Sequence, residues 1–288
     1  MTLPFGIYIT STPIGNLADI TLRAIEILTK CDIILAEDTR VTGKLLAHYN
    51  IKSKTIHKYT DHSNESENLK FIEMAKTQSV ALVSDAGTPL ISDPGYKLVK
   101  IAKQHNISVY SIAGVSSLTA ALSVSGLPTD QFTFHGFYQT KETKKELNKI
   151  LKREATSAFF IPARDILKAL YEIQNCDLNL EISIARELTK QFEDVATGTI
   201  EQLISHYSCE SKLRGEAVLM LRITQNDIKS ARSLSIEVDK ILTKNTFLRN
   251  VSKKDLAEIL ATYHQDTLEE FTKKEIYNYV AANNQSQN

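Results

Sequence analysis

The sequence predicts an α/β protein, two α/β layers followed by a small helical module, and three observations carry that reading. Short apolar runs alternate with segments of helical periodicity through most of the chain. Those runs end in loops rich in Gly, Pro and charged residues, so polar groups collect where strands deliver their carboxyl ends. Beyond Gln225 the pattern changes to amphipathic helical runs alone. The expected divisions are 1–126, 127–225 and 226–288, with Gly126-Leu127-Pro128 as the first punctuation.

Gly6–Thr10 is the first strand, ending in the shaped turn Ser11-Thr12-Pro13-Ile14-Gly15-Asn16. Asp19 is the expected cap of a helix with apolar positions Leu22, Ile25 and Leu28 at helical spacing. Ile33–Ala36 is a second buried strand, running out into Glu37-Asp38-Thr39-Arg40. This β-α-β opening lacks the glycine fingerprint of dinucleotide sites and the Gly-Lys-Ser/Thr of a P-loop, which argues against both. Tyr59–Asn68 reads as a mobile polar loop in which His62, beside Asp61, is a candidate base.

Val80–Val83 is a third strand and Ser84-Asp85-Ala86-Gly87-Thr88-Pro89 its polar loop. Asp93-Pro94-Gly95 leads into the helix Tyr96–His105, with Pro94 expected at its first position because its fixed φ is already helical. After Ile107–Ile112, Ala113-Gly114-Val115-Ser116-Ser117 opens a small-residue helix, Leu118–Ser125, whose free N–H groups suit an anionic or carboxylate ligand. Strand ends sharing this chemistry imply one common crevice.

In the second half Phe132–Tyr138, Ala158–Ile161, Glu181–Ala185 and Ala217–Ile223 are strand-like, separated by helical segments at Ile166–Ile173 and Thr199–Tyr207. Two polar clusters, Ala185–Lys190 and Ser211–Glu216, flank strands and are placed to face a cleft. Ser233–Leu242, Ser252–Tyr263 and Thr272–Ala282 are amphipathic, with Ser252 and Thr272 as expected caps.

Charge narrows the partners. Lys+Arg 34 balance Asp+Glu 34, so no overall field favours nucleic acid or membrane, and a polyanion site must be local. Lys141–Lys168 carries eight basic against four acidic residues, the best local candidate for a phosphate-contacting face. Cys31, Cys176 and Cys209 are odd in number, widely spaced and without a CxxC, which points to a reducing compartment and no structural zinc. The start of the chain has no basic leader and no long apolar run follows, so a cytoplasmic protein without a membrane partner is expected.

STPIGNLADITLRA, AEDTR, LVSDAGTPLISDPGYKLV and GVSSLTAALSVSGLPTDQF, continued by ARELTKQFEDVATGTI and RGEAVLML, resemble the tetrapyrrole-methylase superfamily. Within it they resemble the branch of small-subunit ribosomal RNA 2′-O-ribose methyltransferases, over nearly the whole chain to about Ile223. The resemblance implies two α/β domains holding S-adenosyl-L-methionine in the cleft between them, a homodimer, and no metal. It implies as substrate the ribose 2′-OH of a cytidine in the decoding region of 16S rRNA, cytidine 1402 in the usual numbering, within the small ribosomal subunit. Two departures stand out: Ala113-Gly114-Val115 where the family commonly begins with proline, and Phe160-Ile161-Pro162-Ala163-Arg164 where an aromatic-Glu pair is common.

A 2′-OH is weakly acidic, so a carboxylate or a cation is expected close to the developing alkoxide. The candidates are Glu37, Asp38, Arg40, Arg186, Glu187, Lys190 and Glu216. For the cofactor they are Pro13, Asp85, Ala86, Gly87, Ser116 and Ser117 from the first half, with Ile161 and Ala185 from the second. Two other readings compete: a methyltransferase of the same superfamily acting on a tetrapyrrole or other small molecule, and a ribosome-assembly factor that binds RNA without catalysis.

Overall fold

A computed structural model of the chain describes residues 2–52, 54–61, 63–139, 155–175, 179–223, 238, 241–242, 248, 251–263, 271 and 273–283. His62, Cys176, Thr272, the basic positions from Lys141 to Arg153 and most of 233–242 lie outside the described residues.

The first sheet is built from β1 (Gly6–Thr10), β2 (Ile33–Ala36), β3 (Thr55–Lys58), β4 (Ser79–Val83) and β5 (Val109–Ile112), in the order β3-β2-β4-β1-β5. All its pairings are parallel. β2 and β4 are buried along their full length, as expected of strands covered on both faces. Alternation assigns the two layers. Ile34 and Ala36 pack with α1 (Leu22–Lys30) and α2 (Thr39–His48), whereas Ile33 and Leu35 pack with α3 (Glu65–Ala75) and α4 (Tyr96–Gln104). β1 and β4 are neighbours whose onward connections run in opposite directions, the arrangement that opens a crevice at the strands' carboxyl ends.

Local chemistry revises several expectations. Thr21, not Asp19, caps α1, its hydroxyl accepting the Ala24 N–H, while Asp19 sits in a preceding 3₁₀ turn. The buried face of α1 is Ala24, Ile27 and Leu28, and Leu22 in its first turn is 86% exposed. Gly95, at φ 140°, is the N-cap of α4, so Pro94 precedes the helix rather than opening it. A Cβ at Gly95 would lie 2.8 Å from Leu82 Cδ2, so only glycine brings the chain this close to β4. The polar stretch Tyr59–Asn68 is partly helical, because Asn64 and Glu67 form a capping box that starts α3.

α5 (Ser117–Val124) leads to the second sheet, made of β6 (Phe132–Phe137), β7 (Thr156–Pro162), β8 (Leu180–Arg186), β9 (Asp194–Gly198) and β10 (Glu216–Ile223), in the order β6-β7-β10-β8-β9. β6 joins β7 in parallel, and β7–β10 and β8–β9 are antiparallel. α6 (Ile166–Gln174) and α7 (Ile200–Tyr207) complete this layer, α7 starting at a Thr199–Gln202 capping box. Leu118, Ala121 and Leu122 of α5 pack on Ala158, Ala185, Val218 and Met220, so one core joins the crevice helix to the second sheet.

The chain divides into two compact units. Met1–Cys176 with Glu181–Arg222 holds both sheets, and Asp177–Leu180 with Ile223–Asn288 is the other. In the second unit α8 (Lys253–Tyr263) and α9 (Lys273–Asn283) pack through Leu256, Ala257 and Leu260 against Ile276 and Val280. Ser252 accepts the Asp255 N–H at 3.2 Å and so caps α8. Among the described residues no helix is long and apolar enough to cross a membrane.

Candidate active site

The loops after β1, β4 and β5 are stitched together. Thr12 and Gly87 exchange backbone hydrogen bonds at 2.9 and 3.0 Å, and Thr12 Oγ1 donates to the Ser84 carbonyl at 3.2 Å. Thr88 Oγ1 donates to the Val115 carbonyl at 2.9 Å and lies 3.1 Å from Ser11 Oγ. A Cβ on Gly114 would lie 2.7 Å from Ser11 Cβ, which is why glycine stands in the loop after β5. Gly87 holds φ +80°, the left-handed region that glycine adopts without steric cost. The loop after β2 joins through Asp85, whose Oδ1 accepts the Asp38 N–H at 3.0 Å.

On the second sheet the residues after β8 form a strained hook, with Glu187 at φ 50° and Thr189 at φ 66°. Glu187 Oε1 accepts from Lys190 Nζ at 2.8 Å and from the Glu216 N–H at 3.1 Å. A Cβ on Gly215 would overlap the Glu187 carboxylate, so Gly215, at φ +90°, makes room for this clamp. Burial opposes ionisation of Glu187, but the hydrogen bonds from Lys190 and Glu216 outweigh it and hold the carboxyl below its ordinary range. Glu216 Oε2 stands 3.9 Å from Lys190 Nζ on a side chain that is largely exposed. The hook meets the first sheet's loops directly: the Asn16 N–H donates to Thr189 Oγ1 at 3.1 Å, and a Cβ on Gly15 would overlap the Lys190 side chain.

A cavity of about 540 Å³ lies between these loops. Glu37, Asp85, Ala86, Gly87, Ser116 and Ser117 line it from the first sheet, and Ile161, Ala185, Glu187, Lys190 and Glu216 from the second. Four sequence candidates stand off the lining. Pro13 is buried and does not line it. Asp38 caps α2 and pairs with Arg40 at 2.6 Å, a contact that holds the Asp38 carboxyl well below its usual range. Arg186 is only 6% exposed and gives its guanidinium to the Arg214 and Phe192 carbonyls at 3.1 and 2.9 Å, tying the two loops that carry Glu187 and Glu216.

The lining also holds residues that were not site candidates, Ile14, Asp93, Phe137, Arg164, Leu188 and Gly215, although the stretches around Asp93, Arg164 and Gly215 drew attention in the sequence. Asp93 was accessible to reasoning, because it repeats the Asp-Gly chemistry of the same loop eight residues after Asp85. Burial, with Glu37, Asp85 and Asp61 nearby, pushes its carboxyl up to about 6 although Ser84 hydrogen-bonds to it. Burial and Asp85 likewise raise Glu37. The cavity thus has one wall rich in carboxyl groups, of which Glu37 and Asp93 resist ionisation, and a second that mixes apolar residues with Arg164, Glu187, Lys190 and Glu216. Among the described residues no group of His, Cys, Asp and Glu is arranged to hold a metal ion.

A parallel sheet whose loop-lined crevice faces a mixed sheet across a mid-sized cavity defines an α/β enzyme with its ligand site between two layers. Residues 6–204 match the tetrapyrrole (corrin/porphyrin) methylases, and the chain belongs to that family. It is 41% identical to the ribosomal RNA small subunit methyltransferase I of Rickettsia prowazekii, over 97% of this chain and 98% of that protein. To the protein of the same name from Vibrio cholerae it is 36% identical, over 92% and 93%. Among solved structures it resembles a diphthine synthase, with TM-score 0.59, 17% identity and 75% and 89% of the two chains covered. It also resembles the uroporphyrin-III-C-methyltransferase of Thermus thermophilus, with TM-score 0.54, 18% identity and 75% and 93% covered; at these identities the likeness is one of fold.

The cofactor is S-adenosyl-L-methionine. The residues present fit it. Glu37, Asp85 and Asp93 offer acceptors for a cation and for ribose hydroxyls, Gly87 leaves its wall without a side chain, and Ile161, Ala185, Leu188 and Val218 offer an apolar surface to a purine.

Proposed function

We propose that the protein is a methyltransferase of ribosomal RNA that modifies the ribose 2′-OH of a cytidine in the decoding region of the small subunit's 16S RNA. It acts in the cytoplasm, as a homodimer, on the small ribosomal subunit. Similarity to small-subunit RNA methyltransferases along 97% of the chain supports the substrate class. The observation that carries the chemistry is Lys190, a cation fixed at the cavity wall by Glu187 and facing the acidic loops of the first sheet.

S-adenosyl-L-methionine supplies an electrophilic methyl on a sulfonium centre. The chain's own task is positioning and charge stabilisation. Holding the ribose oxygen in line at near-attack distance supplies roughly 7–11 kcal/mol of the barrier lowering. The Lys190 ammonium, placed beforehand by Glu187 and the Glu216 backbone, stabilises the negative charge that develops on that oxygen. Glu187, engaged by two donors and held ionised, anchors Lys190 rather than taking a proton. Glu37, whose carboxyl is raised, is the better matched proton acceptor. Each sheet with its helices forms one domain, divided near Gly126, and the helical module beyond residue 225 docks the RNA or the second subunit.

The test is transfer of tritiated methyl from S-adenosyl-L-methionine to isolated small subunits and to naked rRNA, followed by nucleoside analysis. Label recovered in 2′-O-methylcytidine is the expected result. Label in a base, or none in RNA, overturns the reading, and sedimentation of the purified protein checks the dimer.

A further inference from the structure

We infer that the exposed ring of Phe137 and the guanidinium of Arg164 form the seat of a single unstacked nucleotide, the ring stacking on its base and the guanidinium meeting its phosphate. The inference rests on the RNA substrate proposed above and adds where on the protein that substrate is held.

Phe137 is aimed at the cavity by a backbone irregularity. The β6–β7 register shifts between Phe134 and Phe137, and Gly136 within the shift holds φ +73°. A bulge of this kind turns a side chain away from the regular alternation and recurs beside active sites. Phe137 lines the cavity yet is 52% exposed. Its ring is held from one side, where Phe160 meets it edge-on with centroids 5.7 Å apart, and Phe134 backs Phe160 at 4.7 Å. A large aromatic that is both fixed and half open presents a π-face to whatever enters.

Arg164 follows β7 in a 3₁₀ turn and lines the same cavity. Its side chain is 80% exposed, and among the described residues its ion-pair partner is Asp165, at the long distance of 3.9 Å. Between the two, Ile161 and Pro162 give the lining an apolar stretch, flanked by Glu216, which pairs with Pro162 across β7 and β10. The first sheet's side of the lining gathers the carboxyl groups of Glu37, Asp85 and Asp93 and offers no cation to a phosphate. The exposed Arg164 cation sets the orientation: the phosphate lies toward Arg164, the base on Phe137 and the ribose between them, with Lys190 in the same cavity. Proteins that read single-stranded RNA use this pairing of aromatic face and arginine.

The experiment uses the full chain with small ribosomal subunits as RNA substrate. It compares wild type, Phe137→Leu, Phe137→Tyr, Arg164→Gln and, as control, Phe132→Leu, which is exposed on the same strand but off the cavity. Loss of a stacking ring is expected to raise KM for the subunit roughly 5–150-fold in Phe137→Leu. Phe137→Tyr should restore it. Arg164→Gln should weaken RNA binding and reduce the slope of log affinity against log salt by about 0.7, the single-strand value per contact. S-adenosyl-L-methionine affinity by calorimetry should stay within two-fold throughout. Wild-type KM in Phe137→Leu, or a cofactor affinity falling in step with RNA affinity, overturns the inference alone. Failure of the wild type to methylate RNA overturns the proposed function, and the inference with it.

Discussion

At the scale of single residues the decisive contact is Glu187 to Lys190, 2.8 Å, because it separates a charge that acts from a charge that holds. Lys190→Met removes the cation and should lower single-turnover methylation about 10²–10³-fold, the usual cost of deleting a donor at a developing oxyanion. Glu187→Gln keeps an acceptor for the Glu216 N–H and loses only the ion pair, so its loss should be smaller, with melting temperature nearly unchanged. Normal turnover in Lys190→Met refutes this assignment. Asp93 gives a prediction in pH. Its carboxyl is pushed up to about 6, above the roughly 3.9 of an unfolded chain. The folded state keeps its proton where the unfolded state has lost it. The stabilising contribution is therefore complete below about pH 4 and lost as pH rises through 6. Asp93→Asn should raise the melting temperature of the cofactor-free protein at pH 8 and leave it unchanged near pH 4. A shift of equal size at both pH values rejects the burial argument.

At the scale of elements the close approach of Gly15 to Lys190 links a loop of the first sheet to the hook of the second. Gly15 has ordinary backbone angles, so alanine there costs little conformational strain, but its Cβ would overlap Lys190. Gly15→Ala should reproduce, in weaker form, the turnover loss of Lys190→Met while the protein melts as wild type, and calorimetry alongside kinetics checks both. How far the sequence discloses such features depends on their range. β1, β2 and β4 were readable because apolar runs ending in Gly, Pro and Asp are local signals. The cap of α1 was misread because Asp19 and Thr21 are both good caps and the choice lies in a 3₁₀ turn that periodicity does not report. Asp85, Gly87 and Ser116, which line the cavity, carry the same local signal, whereas Phe137 and Gly215 owe their place to a bulge and to a partner 28 residues away from it, Glu187. Arg186 shows the converse: its motif drew attention to it, and its burial behind the hook makes it a tie between loops.

At the scale of the whole molecule the balance of 34 basic and 34 acidic residues leaves RNA binding to local groups. Replacing Lys144, Lys145 and Lys149 by Gln should flatten the salt dependence of RNA affinity by about 0.7 of slope per lost phosphate contact, without changing cofactor affinity. An unchanged slope moves the phosphate face elsewhere. The order β3-β2-β4-β1-β5 has a further consequence, for the chain while it is being made. Among the described residues β1 pairs with β4 and β5, in the register Ile7↔Val80 and Ile7↔Val109. As the polypeptide leaves the peptidyl-transferase tunnel, its first strand has no neighbour until β4 follows, and both of its edges stay open to other nascent chains. The Thr12–Gly87 bridge obeys the same timetable. Synthesis that stalls before Val83 leaves the apolar strand Gly6–Thr10 in need of a chaperone, and the ligand crevice is among the last features of the first layer to exist.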